Sequence, residues 1–164
     1  MTTFALSGLD IGLWDIAGKV AGVPLFKLLG GSSRSEVPAY ASLLKYQDPS
    51  VCARLAEEAI GHGYQSIKLH ENTVEPVAAV RSVGGQDLSI MLDVNCSWTP
   101  YTATRMAEAL VPYNLHWLEE PLWPPENFEA LAQLRAVTGI PVASGENACT
   151  AWQVDQMLNR YAFD

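Results

Sequence analysis

The chain has 164 residues, of which 49% are hydrophobic and 17% charged, so it suits one packed domain with a small appendage and not a disordered chain. A formal net charge of −8 argues against a nucleic-acid partner, because phosphates are bound by Lys and Arg. No apolar run approaches the roughly 20 residues that cross a bilayer, and no basic signal region begins the chain, so no membrane partner is expected. Three cysteines without a CxxC predict reduced thiols in a cytoplasmic protein.

The first predicted element is an amphipathic helix over residues 5–18. Leu6, Leu9, Leu13 and Ile16 recur at three- and four-residue spacing, which is the period of one helix face. The stretch LLGGSSRSE at 28–36 then predicts a loop.

An alternation of strands and helices follows, with a period of about 25 residues. This alternation predicts parallel strands joined by right-handed helical crossovers, in either an open doubly wound sheet or part of a (β/α)8 barrel. No GxGxxG or GxxxxGK follows any strand, which weakens the nucleotide-binding open sheet. The predicted strands are 37–44, 65–71, 88–95, 116–121, 140–146 and a sixth beginning at 161–164; the helices are 48–63, 73–85, 99–113, 125–139 and 150–160.

Polar residues recur where four successive predicted strands end. The carboxyl ends of parallel strands surround one mouth of a barrel, so these side chains are expected to converge there. Asp93 lies 25 residues after Lys68, Glu119 lies 26 after Asp93, and Glu146 lies 27 after Glu119. The residues are Lys68 and His70, Asp93 and Asn95, Glu119 and Glu120, and Glu146 and Asn147.

Three carboxylates at one mouth would repel one another unless a cation lay between them. Ligands that are all oxygen suit a hard ion, so Asp93, Glu119 and Glu146 predict Mg²⁺, with Mn²⁺ as a substitute. The alternative is that each acid is a separate surface or loop-capping residue.

Lys68 and His70 stand two apart on one strand and therefore point to the same side. A base in this place could remove the α-proton of a metal-bound carboxylate substrate, and burial beside a second positive charge is expected to lower the pKa of Lys68. The alternative is a structural pair that bridges the carboxylates.

Three aromatic residues lie near the predicted mouth. Tyr40, early in the first strand, is predicted to be barrel core. Trp98 and Trp123 follow strand ends and are candidate walls of the site.

Five segments in order resemble the enolase superfamily, in its mandelate racemase and muconate-lactonizing enzyme branch. They are ALSGLDIGLWDIAGKVAGVPLFKLLGG, IKLHE, LDVNCSW, WLEEP and IPVASGEN. The resemblance implies an α/β fold: a partial TIM-type (β/α)7β barrel with a remnant of an N-terminal α+β capping domain. It divides the chain into residues 1–31, the end of the capping domain, and 32–164, the first part of the barrel.

The resemblance also implies roles for the residues at the mouth. Asp93, Glu119 and Glu146 match the ligands of one Mg²⁺ ion. Lys68 and position 70 match a K-x-K motif whose second Lys is the base for one face of the α-carbon. Asn95 would face the substrate, and Glu120 and Asn147 would bind substrate or support the ligands.

The chain departs from the family pattern in three respects. Position 70 is His rather than Lys, which puts the identity of the base in question. Only residues 5–31 resemble the capping domain, and the residue for the opposite face of the α-carbon would lie beyond Asp164. The chain is therefore expected to be part of a longer enzyme and poorly active alone.

The function expected from this resemblance is a Mg²⁺-dependent lyase, most specifically a sugar-acid dehydratase. A racemase, epimerase or cycloisomerase that uses the same enediolate is the first alternative. A non-catalytic fragment or metal-binding scaffold is the second. The expected partner is a small-molecule carboxylate, and the full-length protein is expected to form a homo-oligomer.

Overall fold

The structure, a computed structural model, describes residues 2–31, 34 and 36–164. The chain divides into two compact units, residues 1–38 and 39–164. Part of the loop predicted at 28–36 falls on Ser32, Ser33 and Ser35, which lie outside the described residues. The predicted domain boundary between residues 31 and 32 stays a prediction.

The first unit contains two helices, α1 (Thr2–Ala21) and α2 (Leu25–Leu28). Helix α1 is longer than the predicted 5–18 and ends at Gly22, whose positive φ of 65° suits a residue without a Cβ. The four residues of the predicted apolar stripe are each between 57% and 68% exposed. No helix among the described residues is long and apolar enough to span a membrane.

The second unit is built on one five-stranded sheet in the described part of the chain. All strand pairs are parallel, and their order in space follows their order in the sequence. Sequential order with right-handed crossovers places the connecting helices on one face, as in a barrel wall, whereas a doubly wound sheet reverses its order. The strands are β1 (Ala41–Ser42), β2 (Ser66–Leu69), β3 (Ser89–Asp93), β4 (Trp117–Glu119) and β5 (Val142–Ala143).

Five helices connect or follow these strands, and most begin at a side-chain cap. The Thr99 hydroxyl accepts a hydrogen bond from the Thr102 N–H, and the Asp48 carboxylate accepts from Ser50 and Val51. The helices are α3 (Pro49–Gly61), α4 (Val74–Gly84), α5 (Pro100–Leu110, with a 3₁₀ turn at Val111–Tyr113), α6 (Phe128–Thr138) and α7 (Ala151–Asn159).

The hydrophobic core of this unit combines strand and helix side chains. Ile67, Ile90 and Leu118 from three neighbouring strands are fully buried, together with Ala56 and Ala107 from helices. The alternate strand positions include Lys68 and Asp93, which therefore point to the other face of the sheet. The packing of one face thus leaves the polar side chains together on the other.

Several predicted elements differ in the structure. Every strand is shorter than predicted, and β5 spans Val142–Ala143 rather than 140–146. Strand β1 spans two residues rather than 37–44, and Val37 is exposed. Residues 161–164 are all described and form no strand, although the Asp164 N–H donates to the Val142 carbonyl at 2.9 Å. Helix α6 begins at Phe128 because Asn127, not a residue near 125, provides its cap.

Candidate active site

Lys68 bridges two of the predicted metal-ligand carboxylates. Asp93 and Glu119 lie opposite each other in the β3–β4 register, where both strands end. The Lys68 ammonium donates to Asp93 Oδ2 at 3.1 Å and to Glu119 Oε1 at 2.9 Å. Lys68 is only 8% exposed. Lys68 thus contacts both carboxylates, as expected for side chains that meet at one mouth, and its catalytic role stays a prediction.

The expected lowering of the Lys68 pKa is wrong. Burial disfavours the charged ammonium, but the hydrogen bonds to Glu119 and Asp93 and the negative charges of these two groups outweigh burial and raise the pKa of Lys68. The expectation considered burial and the nearby imidazole but not the short distances to the two carboxylates.

The orientation of the His70 imidazole is determined by the backbone directly after β1. Its Nδ1 lies 2.6 Å from the Leu43 carbonyl oxygen. A carbonyl only accepts hydrogen bonds, so we assign the proton to Nδ1. The other nitrogen, Nε2, lies 3.4 Å from Asp93 Oδ2. Asp93 Oδ2 is also an acceptor, so Nε2 donates to it when it carries a proton. Nε2 is therefore the nitrogen that can act as a base when it carries none.

Asp93 is held by the turn that follows β3. Asn95 donates to Asp93 Oδ1 from its backbone N–H at 3.0 Å and from its amide Nδ2 at 2.8 Å. Asn95 has a positive φ of 49°, a conformation that Asn tolerates better than most residues. These bonds leave Asp93 Oδ2 for Lys68 and His70.

Glu119 is held in a similar way by a residue of its own strand. The Trp117 indole Nε1–H donates to Glu119 Oε2 at 2.8 Å. Oxygen Oε1 of the same carboxylate receives the bond from Lys68. Asp93 and Glu119 therefore each have one oxygen bound by a neutral donor and one facing Lys68.

Glu120 points away from this pair and organises the loop after β5. Its Oε1 accepts from Ser144 Oγ at 3.2 Å and from the backbone N–H groups of Gly145 and Glu146 at 2.7 and 3.2 Å. Its Oε2 accepts from the Cys96 thiol at 3.5 Å. Glu120 thereby determines the path of the segment that carries Glu146.

Glu146 and Asn147 lie at the outer side of the site. Partial desolvation, followed by the negative charges of Glu120, Asp93 and Glu119, raises the pKa of Glu146. The Asn147 amide donates to Cys96 Sγ at 3.6 Å rather than to a predicted ligand.

The described residues contain no group of three His, Cys, Asp or Glu side chains placed closely enough to hold one metal ion. The donor set nevertheless fits a hard cation, because Asp93, Glu119 and Glu146 all offer carboxylate oxygen and lie on consecutive strands or the loop that follows them. Glu119 and Glu146 also line one cleft of about 260 Å³, with Tyr40 and Trp117.

Sequence reasoning missed two residues that support the site. Glu71, only 2% exposed, accepts from the backbone N–H groups of Tyr46 and Gln47 at 2.7 and 3.0 Å. Trp117 donates a hydrogen bond from its indole Nε1–H to Glu119 Oε2. A signal was present for both: Glu71 directly follows His70, and Trp117 shares the alternate-residue face of Glu119.

The three aromatic residues expected near the mouth differ in their burial and contacts. Tyr40 is 40% exposed, so its assignment to the core is wrong in this structure; its ring meets the edge of Trp117 at 6.1 Å between centroids. Trp98 is buried and donates to the Asn72 carbonyl at 3.2 Å. Trp123 is exposed.

Two family models match the chain in sequence order. Residues 1–30 match the mandelate racemase / muconate lactonizing enzyme N-terminal domain, and residues 51–164 match the enolase C-terminal domain-like family. The chain belongs to the enolase superfamily. The predicted membership in its mandelate racemase and muconate-lactonizing branch is thus confirmed, as is the partial barrel fold.

Named relatives in this superfamily are similar over most of the chain. D-galactarolactone cycloisomerase of Agrobacterium fabrum is 36% identical over 98% of this chain and 44% of the relative. Arabinonate dehydratase of Saccharolobus solfataricus is 32% identical over 97% of this chain and 44% of the relative. The chain thus spans less than half the length of these enolase-superfamily relatives.

A solved member of the superfamily has the same fold. The crystal structure of an enolase from Bradyrhizobium, complexed with magnesium and mandelic acid, superposes with a TM-score of 0.86 at 36% identity. The match covers 99% of this chain and 46% of that one.

Proposed function

We propose that this protein takes part in Mg²⁺-dependent removal of the proton α to a carboxylate, most specifically in the dehydration of a sugar acid. The observation that carries the proposal is the convergence of Lys68 and His70 on the Asp93 and Glu119 carboxylates at adjacent strand ends. The names of the relatives, which include sugar-acid dehydratases and cycloisomerases, support the same chemistry.

In this proposal Asp93, Glu119 and Glu146 hold the Mg²⁺ ion, for which Mn²⁺ can substitute. The ion supplies positive charge that stabilises the enediolate as the α-proton leaves. Asn95 holds one oxygen of Asp93, and Glu120 holds the backbone that carries Glu146. Asn95, Glu120 and Asn147 either support the metal-binding carboxylates or contact the substrate.

His70 is the proposed base. Its Nδ1–H is engaged by the Leu43 carbonyl, so Nε2 accepts the α-proton. The carboxylate of Asp93, 3.4 Å from Nε2, stabilises the imidazolium that results. Lys68 keeps its charge and offers an ammonium to the substrate carboxylate.

A cycloisomerase or other isomerase is the second candidate, because two of the relatives bear that name. Both reactions begin with the same proton removal. Product analysis separates them, since a dehydratase releases water and an isomerase product has the mass of its substrate. The proposal also includes a small-molecule carboxylate as partner, a cytoplasmic location and homo-oligomeric assembly.

The test is proton exchange in D₂O with Mg²⁺, followed by NMR of the α-proton across a panel of sugar acids. We expect slow exchange with the unmodified chain, in keeping with the poor activity expected of it alone, and loss of that exchange in His70→Asn. Calorimetry should show Mg²⁺ binding that His70→Asn keeps and Asp93→Asn loses. The two variants are matched because each replaces one side chain of the contact between His70 and Asp93 with an amide. Absence of exchange, together with unchanged Mg²⁺ affinity in Asp93→Asn, would contradict the proposal.

A further inference from the structure

The Trp117 indole lies beside a proposed metal ligand and is restrained from two sides. Its Nε1–H donates to Glu119 Oε2 at 2.8 Å. The Tyr40 ring stands edge-on to it, with an interplanar angle of 81°, and the His116 ring lies 5.1 Å away between centroids. An indole donates through one atom only, so this packing gives the hydrogen bond a defined direction.

The bond determines which oxygen of Glu119 is available. With Oε2 bound to Trp117, Oε1 faces the Lys68 ammonium, which also contacts Asp93 Oδ2. The two oxygens of Asp93 are likewise bound by different donors, because Asn95 donates to Oδ1 and Lys68 donates to Oδ2. Each acid therefore directs one oxygen toward the Lys68 ammonium and has the other held by a neutral donor.

We infer that Trp117 is a positioning residue for metal binding, because it restrains the Glu119 carboxylate that would hold the ion. The inference rests on the proposed function. A free Glu side chain loses rotamer entropy when it binds an ion, whereas a carboxylate already held by an indole has lost part of that freedom. Hydrogen bonds that orient metal ligands are typically worth about tenfold or more in metal affinity.

The first test replaces the donor and keeps the ring. Trp117→Phe retains the aromatic contact with Tyr40 but removes the N–H, and Trp152→Phe, on the exposed face of α7, is the matched control. We expect Mg²⁺ affinity measured by calorimetry to fall about tenfold in Trp117→Phe and to stay unchanged in Trp152→Phe. The melting temperatures without metal should stay close to that of the parent chain in both variants.

The second test uses the unmodified chain and does not depend on the folding of any variant. The indole N–H resonance of Trp117, assigned by triple-resonance NMR, is followed during a Mg²⁺ titration. We expect it to shift along the same binding curve as the calorimetric one, while the indole resonance of Trp152 stays in place.

The outcomes distinguish this inference from the proposed function. Equal Mg²⁺ affinity in the two Trp variants, or a Trp117 resonance that does not move while Asp93→Asn abolishes binding, overturns the role of Trp117 and leaves the metal site standing. If the unmodified chain binds no Mg²⁺, the proposed metal site fails and the inference fails with it.

Discussion

At the scale of single residues, chemical type and spacing predicted that Lys68 would meet Asp93 and Glu119, but not the direction of the Lys68 pKa shift. The recurrence of Lys68, Asp93 and Glu119 in a parallel repeat was enough to expect contact, because strand ends share one edge. The direction of the Lys68 pKa depends on distances near 3 Å to two carboxylates. Those distances depend on the strand register and on the side-chain rotamers, and neither can be predicted from the period of strands and helices in the sequence.

The cysteines provide a prediction at this scale. All three lie among the described residues and are free thiols. Burial, aided by the charge of Glu71, raises the pKa of Cys52 to about 12, and burial with the charge of Glu120 raises the pKa of Cys96 to about 12. At pH 8 such a thiol is ionised in about one molecule in ten thousand, and the thiolate is the reactive form.

We therefore expect iodoacetamide at pH 8 to modify the partly exposed Cys149 in the native protein and to leave Cys52 and Cys96 unmodified. All three should react in urea, where burial is lost. Peptide mass spectrometry gives the modified fraction at each site. Rapid native labelling of Cys52 would show that the α3–β2 packing around it opens readily.

At the scale of elements, helices were predicted better than strands. The helices carry local signals, such as Asp48 and Thr99 at their N-caps, that act within one turn. The length of β1 instead depends on how many of its backbone groups pair with β2, and only Ala41 and Ser42 form the ladder. Strand pairing depends on contacts between segments that are distant in the sequence, so the apolar run at 37–44 predicted a longer strand than the structure contains.

Glu71 provides a prediction about the loop between β1 and α3. Its carboxylate accepts two backbone N–H bonds from Tyr46 and Gln47. Removal of a buried acceptor leaves its donors unpaired, so Glu71→Ala should lower the free energy of unfolding by about 1–3 kcal/mol. Glu71→Gln retains an amide oxygen and should cost less. Urea denaturation measures both.

The control for this prediction is Glu57→Ala, an identical change on the exposed face of α3. It should leave the urea midpoint nearly unchanged. A Glu71→Ala midpoint equal to that of Glu57→Ala would mean that the loop is not held by Glu71.

At the scale of the whole molecule, the core lies in one unit. Every buried apolar side chain among the described residues falls between Leu43 and Ala162. Helix α1 contributes none of them, although it is rich in apolar residues that are exposed. Residues 39–164 should therefore fold without residues 1–38.

The measurement is thermal and urea unfolding of a 39–164 chain beside the full 164 residues. We expect a cooperative transition with a similar midpoint, and weaker binding of a hydrophobic dye because the exposed apolar side chains of α1 are gone. A chain of residues 39–164 without a cooperative transition would show that residues 1–38 contribute to the core.

Taken alone, the sequence determined the alternation of strands and helices, the parallel repeat and the set of polar residues at its strand ends. These follow from short-range periodicity and from the geometry common to all parallel units. Only the tertiary structure decided that Lys68 bridges Asp93 and Glu119 and that Leu43 orients His70. The same holds for the loop that Glu71 binds and for the bond from Trp117 to Glu119. These contacts join atoms from separate segments, and their energies depend on burial and on distances that exist only once the strands are in register.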